Sequence, residues 1–537
     1  MSTMLFLSIV VCASWAVTPW GPDDLVRVDD PDHPDAVARS ATGALVEGIP
    51  DGPWRPASLP EADVIDADDV AEGLVSGPSD DLLEVLGARS WHEAGARGQG
   101  VRVAVFDSRW FGGATDPDRV APFTTHDCFA STSCSAPFDG GGPAFAGESG
   151  HHGWACAEVV RQLAPDAEVS LVRVNSFTAL ENAVDWAIRE DIDVVTMSLS
   201  YYNDSFHDGG GPYGPMLRRL EDAGVLMVTS AGNTADAHWW SAWVDGDHDG
   251  VLDGPRIDTI DGLAGPTTTG LWWDAPAGPI SGYVNWNQFG SCGTTDLSVR
   301  VVDTDGWIVS EVDREQDVDG DSCSPVERIR GVLRTDQLLR IEVVHERGPV
   351  EDLVVDVLVR AGELVDFEPT RSLTDPGAHP LAFTVGAVRV GGYADAEPQS
   401  YSSWGPNHAG DPALDIAGPD GTSTASYGPA GFYGTSASAP AVAGLVAVVM
   451  SADDTRNPRE ASELLQGWAL RDAQGGFDPR WGAGKARLPR LDPGLAPCGQ
   501  RPLLLAVFFP WFPWWRTRRR LRGRESDDSA RHDSHFG

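Results

Sequence analysis

Apolar and polar positions follow two regimes along this chain. Between residues 101 and 233, short and almost uninterrupted apolar runs alternate with stretches of helical spacing. VRVAVFD (101–107), EVSLVRV (168–174), DVVTMSLS (193–200) and VLMVTSAGN (225–233) read as buried strands, whereas ALENAVDWAIRE (179–190) and MLRRLEDAG (216–224) read as helices. Buried strands alternating with helices predict an α/β fold, a parallel sheet flanked by helices on both faces. From about residue 235 to 369 the helical spacing vanishes. YVNWNQFG, TDLSVRVVDTDGWIVSEV, ERIRGVLR, LLRIEVVHE and LVVDVLVRA are strand candidates with no helix between them, the pattern of an inserted antiparallel β-sandwich. FTVGAVRV (383–390) then resumes the buried-strand style, and GTSASAPAVAGLVAVVM (434–450) crowds small residues ahead of an apolar helix.

The two ends of the chain have a different character. Met4 to Ala13 is apolar and is followed by Ser14-Trp15-Ala16, so residues 1–16 read as a signal peptide with a small-residue cleavage site. Residues 17–83 are acidic and rich in Pro and Asp, and are expected to be a propeptide or a linker. The α/β unit is then expected over 84–234 and 370–494, split by the sandwich over 235–369. At the far end, residues 495–537 hold an apolar run, Leu503 to Trp515, followed by Arg516, Arg518, Arg519, Arg520, Arg522 and Arg524. As a helix that run reaches only about 20 Å, short of a ~30 Å hydrocarbon core. It is therefore expected to contact the membrane as an anchor or a processed sorting segment, with Cys498 as the processing point. The product would be exported, extracellular or held at the cell surface.

Charge and cysteine usage narrow the classes further. A formal net charge of −41 argues against nucleic acid as a partner, because phosphate binding needs clustered cations. Export permits disulfides, and Cys128 with Cys134, and Cys292 with Cys323, are the candidate pairs. Cys156 stands in an Ala-rich helical pattern and reads as a buried, inert thiol. Nothing in the sequence points to an organic cofactor.

Ser436, at the start of the apolar helix, has two readings. It caps the helix through its hydroxyl, or it is a nucleophile held where free N–H groups favour developing negative charge. The rest of the chain supplies what a serine nucleophile needs: Asp107 at the end of a strand, His152 at the start of HHGWACAEVVRQLA, and Asn233 at the end of VLMVTSAGN. These segments resemble the motifs of the subtilisin-like serine peptidases. GTSASAPAVAG resembles their serine motif, VRVAVFDS their aspartate strand, HHGWACAEV their histidine motif and VTSAGN their asparagine segment. The order Asp, His, Ser is theirs as well. The resemblance implies a triad of Asp107, His152 and Ser436. It also implies an oxyanion hole of Asn233 and the Ser436 N–H, and a substrate-flanking segment Ser198, Leu199 and Ser200. Protein or peptide substrates follow.

Three positions depart from that pattern: Arg109 replaces the glycine of Asp-Ser-Gly, Trp154 replaces a threonine, and Ala155 replaces a second histidine. They are expected to reshape the cleft or loosen the aspartate turn. Arg109 is also the feature that favours a rival class, a surface binding or adhesion protein on a peptidase scaffold that no longer cuts. Finally, WVDGDHDGVLDG sets Asp245, Asp247 and Asp249 at alternate positions, with Asp253 following, like the opening of an EF-hand calcium loop. Its twelfth position is Arg256 rather than Glu, so a Ca2+ site and a solvated Asp/Gly turn both remain open.

Overall fold

A computed structural model describes residues 82–110, 123–137, 151–257, 267–290, 294–312, 324–453, 455–471 and 478–491, and the backbone of five short strands between Leu25 and Ala62. The apolar runs of the first regime pair with one another in parallel. Counting only these, β1 is Arg102–Asp107, β2 Phe123–Asp127, β3 Glu168–Arg173, β4 Val194–Met197, β5 Leu226–Ser230, β6 Phe383–Arg389 and β7 Leu414–Asp420. They form one seven-stranded sheet in the order β7-β6-β5-β4-β1-β3-β2, every neighbour parallel. Successive side chains of a strand face opposite ways. Val103 and Val105 therefore join one core with Val160, Leu163, Leu445 and Val449, while Ala104 and Phe106 join a second with Leu180, Val184, Leu217 and Leu220.

Five helices cover the sheet: α1 His152–Leu163, α2 Phe177–Arg189, α3 Tyr213–Ala223, α4 Thr435–Ser451 and α5 Pro458–Trp468. Local chemistry starts several of them. Ser176 caps α2 by accepting from the Ala179 N–H at 3.1 Å. Asn457 and Glu460 form a reciprocal capping box on α5, with Pro458 in its first turn. The small residues of α4 have a packing role. A Cβ on Gly444 would lie 2.8 Å from Leu163 Cβ, so glycine lets α4 approach α1 closely enough to bury Thr435 through Met450.

Between β5 and β6 the described residues build a two-stranded antiparallel pair, Asp253–Ile257 with Thr267–Thr269, and two larger antiparallel sheets. One orders His238–Ala242, Val354–Val359, Gly278–Trp286 and Val326–Leu333; the other orders Ile308–Val312, Asp296–Asp303, Gln337–Arg347, Leu271–Ala275 and Glu363–Leu364. Trp273, Trp286, Val299, Ile329, Ile341 and Val357 fill the space between them. The five strand candidates of the sequence all lie here. The sequence pattern missed His238–Ala242 and Leu271–Ala275, whose paired tryptophans blur the alternation.

Residues 17–83 showed little periodicity, yet their backbone includes an antiparallel sheet of Leu25–Val28, Ala36–Ser40, Gly43–Glu47 and Arg55–Pro56. A further short strand, Glu61–Ala62, pairs antiparallel with Leu199–Ser200. Cys128 and Cys134 form a disulfide. Cys292 and Cys323, the signal peptide expected at 1–16 and the segment 495–537 lie outside the described residues. Among the described residues no helix is long and apolar enough to cross a membrane.

Candidate active site

In an open parallel sheet, groups at the carboxyl ends of neighbouring strands converge. Asp107 is the last residue of β1, Ser198 follows β4, and Asn233 follows β5. Because β1, β4 and β5 are adjacent, these three stand along one edge.

Asp107 is held on all sides. Its Oδ1 accepts from the Arg109 backbone N–H at 2.8 Å, and its carbonyl accepts from Trp110 Nε1 at 2.9 Å. Its Oδ2 lies 2.6 Å from His152 Nδ1, and both side chains are fully buried. A carboxylate only accepts, so Nδ1 carries the proton and Nε2 keeps the basic lone pair. Nε2 makes no hydrogen bond. The preceding His151 is the N-cap residue of α1, and it is His152 that meets Asp107. Gly153 is required by this approach: a Cβ there would meet Asp107 Cβ and the Trp110 ring at 2.9 Å.

Ser436 is the second residue of α4. The N-cap position is held by Gly434, at φ +92°. Ser436 is therefore not the residue in the cap position. The Ser436 carbonyl accepts from Ser198 Oγ at 3.0 Å, and Cys156 Sγ lies 3.7 Å from that carbonyl and 4.0 Å from Asp107 Oδ2. Cys156 thus touches both Asp107 and Ser436, which sequence spacing did not reveal. Burial, then the Asp107 charge, pushes its thiol well up, so it stays protonated.

Asn233 completes the cluster. Its Oδ1 accepts from both the backbone N–H and the hydroxyl of Thr435, each at 2.9 Å. That clamp settles which way the amide points and leaves Nδ2 buried without a partner, a donor held beside the start of α4. Thr435 is a second contribution the sequence did not disclose.

The match to known proteins now bears on this geometry. The model of the subtilase family matches residues 98–255 and 357–484, more than half of the chain. The chain belongs to the subtilase family. Among subtilases, the Minor extracellular protease Epr of Bacillus subtilis (strain 168) is 27% identical over 161 residues, 28% of this chain. The chain spans only 23% of that relative's length. The CspB protease of Clostridium perfringens shares the fold, with a TM-score of 0.50 at 16% identity over 76% of this chain and 98% of that one.

Where the chain departs from the subtilase pattern, the structure supplies compensation. Arg109 occupies the glycine position without a left-handed backbone, and its N–H still bonds Asp107. The expected loosening of the aspartate turn is not seen. Trp154 stacks edge-on against Trp110 with centroids 5.7 Å apart and donates to the Trp110 carbonyl at 3.2 Å. Phe432 sets its ring edge-on to His152 at 5.7 Å.

Behind the start of α4, the buried Asp420 accepts from Gln399 Nε2 at 2.8 Å, from the Gly434 N–H at 3.2 Å, and from the Tyr401 hydroxyl. Burial raises its pKa from 3.8 to about 6, against these hydrogen bonds. A raised native pKa means that the native state binds the proton more tightly. Asp420 therefore contributes stability below 3.8 that is lost as pH rises through about 6. Asp420→Asn is expected to flatten that part of the stability–pH curve, measured by urea unfolding across the same window.

Of the predicted metal residues, Asp245, Asp247 and Asp249 place carboxylate oxygens within 4.8 Å of one another. Asp253 Oδ2 instead accepts from the Gly246 N–H at 2.8 Å.

Proposed function

We propose that the chain is an exported serine endopeptidase. The observation that carries this is the buried His152, its proton held toward Asp107 and its Nε2 unpaired, with its ring against Phe432 just ahead of the helix that bears Ser436. In this reading Ser436 Oγ attacks the scissile carbonyl as His152 Nε2 takes its proton and later returns it to the leaving amine. Asp107 holds the tautomer and stabilises the imidazolium. Asn233 Nδ2 and the Ser436 N–H receive the oxyanion. Asn233→Ala is expected to lower kcat by about 10²–10³-fold with KM little changed, since the donor acts on charge that develops only in the transition state. Steady-state kinetics on a peptide substrate check this.

An extended substrate would lie along Ser198, Leu199 and Ser200. Glu61–Ala62 already pairs with Leu199–Ser200, which supports residues 17–83 as a propeptide laid across the substrate edge. Residues 1–16 as an export signal, and residues 495–537 as a membrane-contacting segment, complete the proposal for a surface-held enzyme. Asp245, Asp247 and Asp249 would hold a Ca2+ ion, their spacing fitting the oxygen ligands it prefers. Millimolar Ca2+ is then expected to raise the melting temperature of the wild type but not of Asp247→Asn, read by differential scanning calorimetry.

Fluorophosphonate labelling of the full chain, read by intact mass, tests the central reading. One label per chain, absent after prior heat unfolding, is expected. A folded, mature chain that takes no label rejects it.

A further inference from the structure

A second cluster of chemistry-bearing side chains lies away from the proposed triad, where the inserted sandwich meets the parallel-sheet unit. Asp356, on the sandwich strand Val354–Val359, is buried, with its side chain 1% exposed. Its Oδ1 lies 2.5 Å from His238 Nε2, on the neighbouring sandwich strand, and 3.4 Å from His408 Nε2. His207 Nδ1 stands 3.8 Å from its Oδ2. His207 and His408 come from two loops of the parallel-sheet unit, tied together by a 3.0 Å bond from the His408 N–H to the His207 carbonyl. All three imidazoles are essentially excluded from solvent.

Their outer nitrogens decide what this cluster can do. His238 Nδ1 lies 2.7 Å from the Glu368 carbonyl, and His207 Nε2 lies 3.2 Å from the Tyr201 carbonyl. A carbonyl only accepts, so those nitrogens carry the protons, and the lone pairs of the neutral rings point at Asp356. A histidine that donates its outer N–H to a carbonyl while turning its inner nitrogen to a shared point is the arrangement that orients metal ligands. His408 makes the case independently: neither of its ring nitrogens has a hydrogen-bond partner, although its side chain is only 1% exposed. Its ring is enclosed by Phe206, at 4.4 Å between centroids, and Trp240, at 5.9 Å. Two lone pairs and a carboxylate facing one another in a dry interior need positive charge between them.

We propose that His238, Asp356 and His408 bind a divalent transition-metal ion, zinc foremost. His207 Nδ1, 3.8 Å from Asp356 Oδ2, stands beside them and would have to move closer to serve as a fourth donor. Imidazole and carboxylate ligands without thiolate suit Zn2+. Ligand atoms each about 2.0–2.1 Å from a tetrahedral ion stand about 3.3 Å apart, close to the His408–Asp356 separation; the His238 contact widens by under about 1 Å to match. The ion staples the sandwich to the loops that leave the substrate-flanking segment, since His207 follows Ser200 by one short loop. The proposal does not depend on the chain being an active peptidase.

The test is Zn2+ uptake by the full chain, purified without a polyhistidine tag and dialysed against Zn2+. Asp107, His152 and Cys156 could also gather an ion, so His152→Ala serves as the parent. Mass spectrometry of metal content should find about one equivalent of zinc in His152→Ala and a loss of at least roughly tenfold on adding His408→Ala or His238→Gln. X-ray absorption on the loaded parent should show a nitrogen and oxygen shell at about 2.0–2.1 Å with no sulfur, a readout that stands even if the histidine variants fail to fold. A cooperatively melting parent that retains no zinc, zinc retention unchanged in a folded His408→Ala variant, or a sulfur-containing shell overturns the proposal. The cluster is then an imidazolium–carboxylate network.

Discussion

Ser436→Ala is expected to lower kcat by about 10⁶-fold, to abolish fluorophosphonate incorporation and to leave a cooperative melting transition in place. The magnitude is that of subtilisin, a member of the same family, rather than one obtained from this geometry. The reasoning for the residue is local. Gly434, not Ser436, occupies the N-cap position, and Asn233 Oδ1 accepts from the first-turn Thr435 N–H, so the start of α4 is held from outside Ser436. The backbone contacts of Ser436, the bond from Ser198 Oγ and the Cys156 approach, both use its carbonyl and survive the substitution. A large loss of turnover with an intact melt therefore separates a nucleophile from a packing residue. Turnover retained within tenfold would reject the role of Ser436, and single-turnover acylation is the assay that reads it most directly.

Asp107→Asn is expected to lower kcat by about 10⁴-fold, and its cause can be followed atom by atom. The two carboxylate oxygens have separate duties: Oδ1 accepts from the Arg109 N–H, and Oδ2 faces His152 Nδ1. An asparagine keeps the first bond only with its oxygen toward Arg109, which turns its NH₂ toward His152. Nδ1 must then accept, the proton moves to Nε2, and the nitrogen that should act as base becomes a donor. The variant should fold, since the turn at Arg109 and the Trp110 bond to the Asp107 carbonyl persist. Imidazole proton resonances report the tautomer directly. A neutral ring still protonated at Nδ1 in the variant, or unchanged turnover, would remove Asp107 from the mechanism.

The retained Asp107 turn also bears on the rival reading of a non-cutting surface protein. That reading drew on Arg109 alone. A side chain replacing glycine is harmful where the backbone must be left-handed or where a Cβ would collide. Arg109 meets neither condition at the backbone, whereas Gly153, one contact away, meets the second. The departure falls where the fold tolerates it.

The sequence by itself determined the parallel-sheet unit, the antiparallel strands between its halves, and the order of Asp107, His152, Asn233 and Ser436. Buried strands, helical spacing and short motifs are local properties of the chain, legible within windows of ten or twenty residues. Tertiary structure alone decided the rest. Which histidine meets Asp107, how Thr435 orients Asn233, and why Cys156 touches two members of the site are contacts made between elements far apart in sequence. The His207, His238, Asp356 and His408 cluster is the clearest instance: four residues with no common spacing, each unremarked in its own segment, meet only after the sandwich docks on two distant loops. Residues 17–83 make the same point from the other side. Their Pro- and Asp-rich pattern carries little periodicity, and their strands become evident through partners such as Leu199–Ser200, which a local pattern does not record. Pairing energy between remote strands depends on who the neighbour is, and that is written in the fold rather than in the segment.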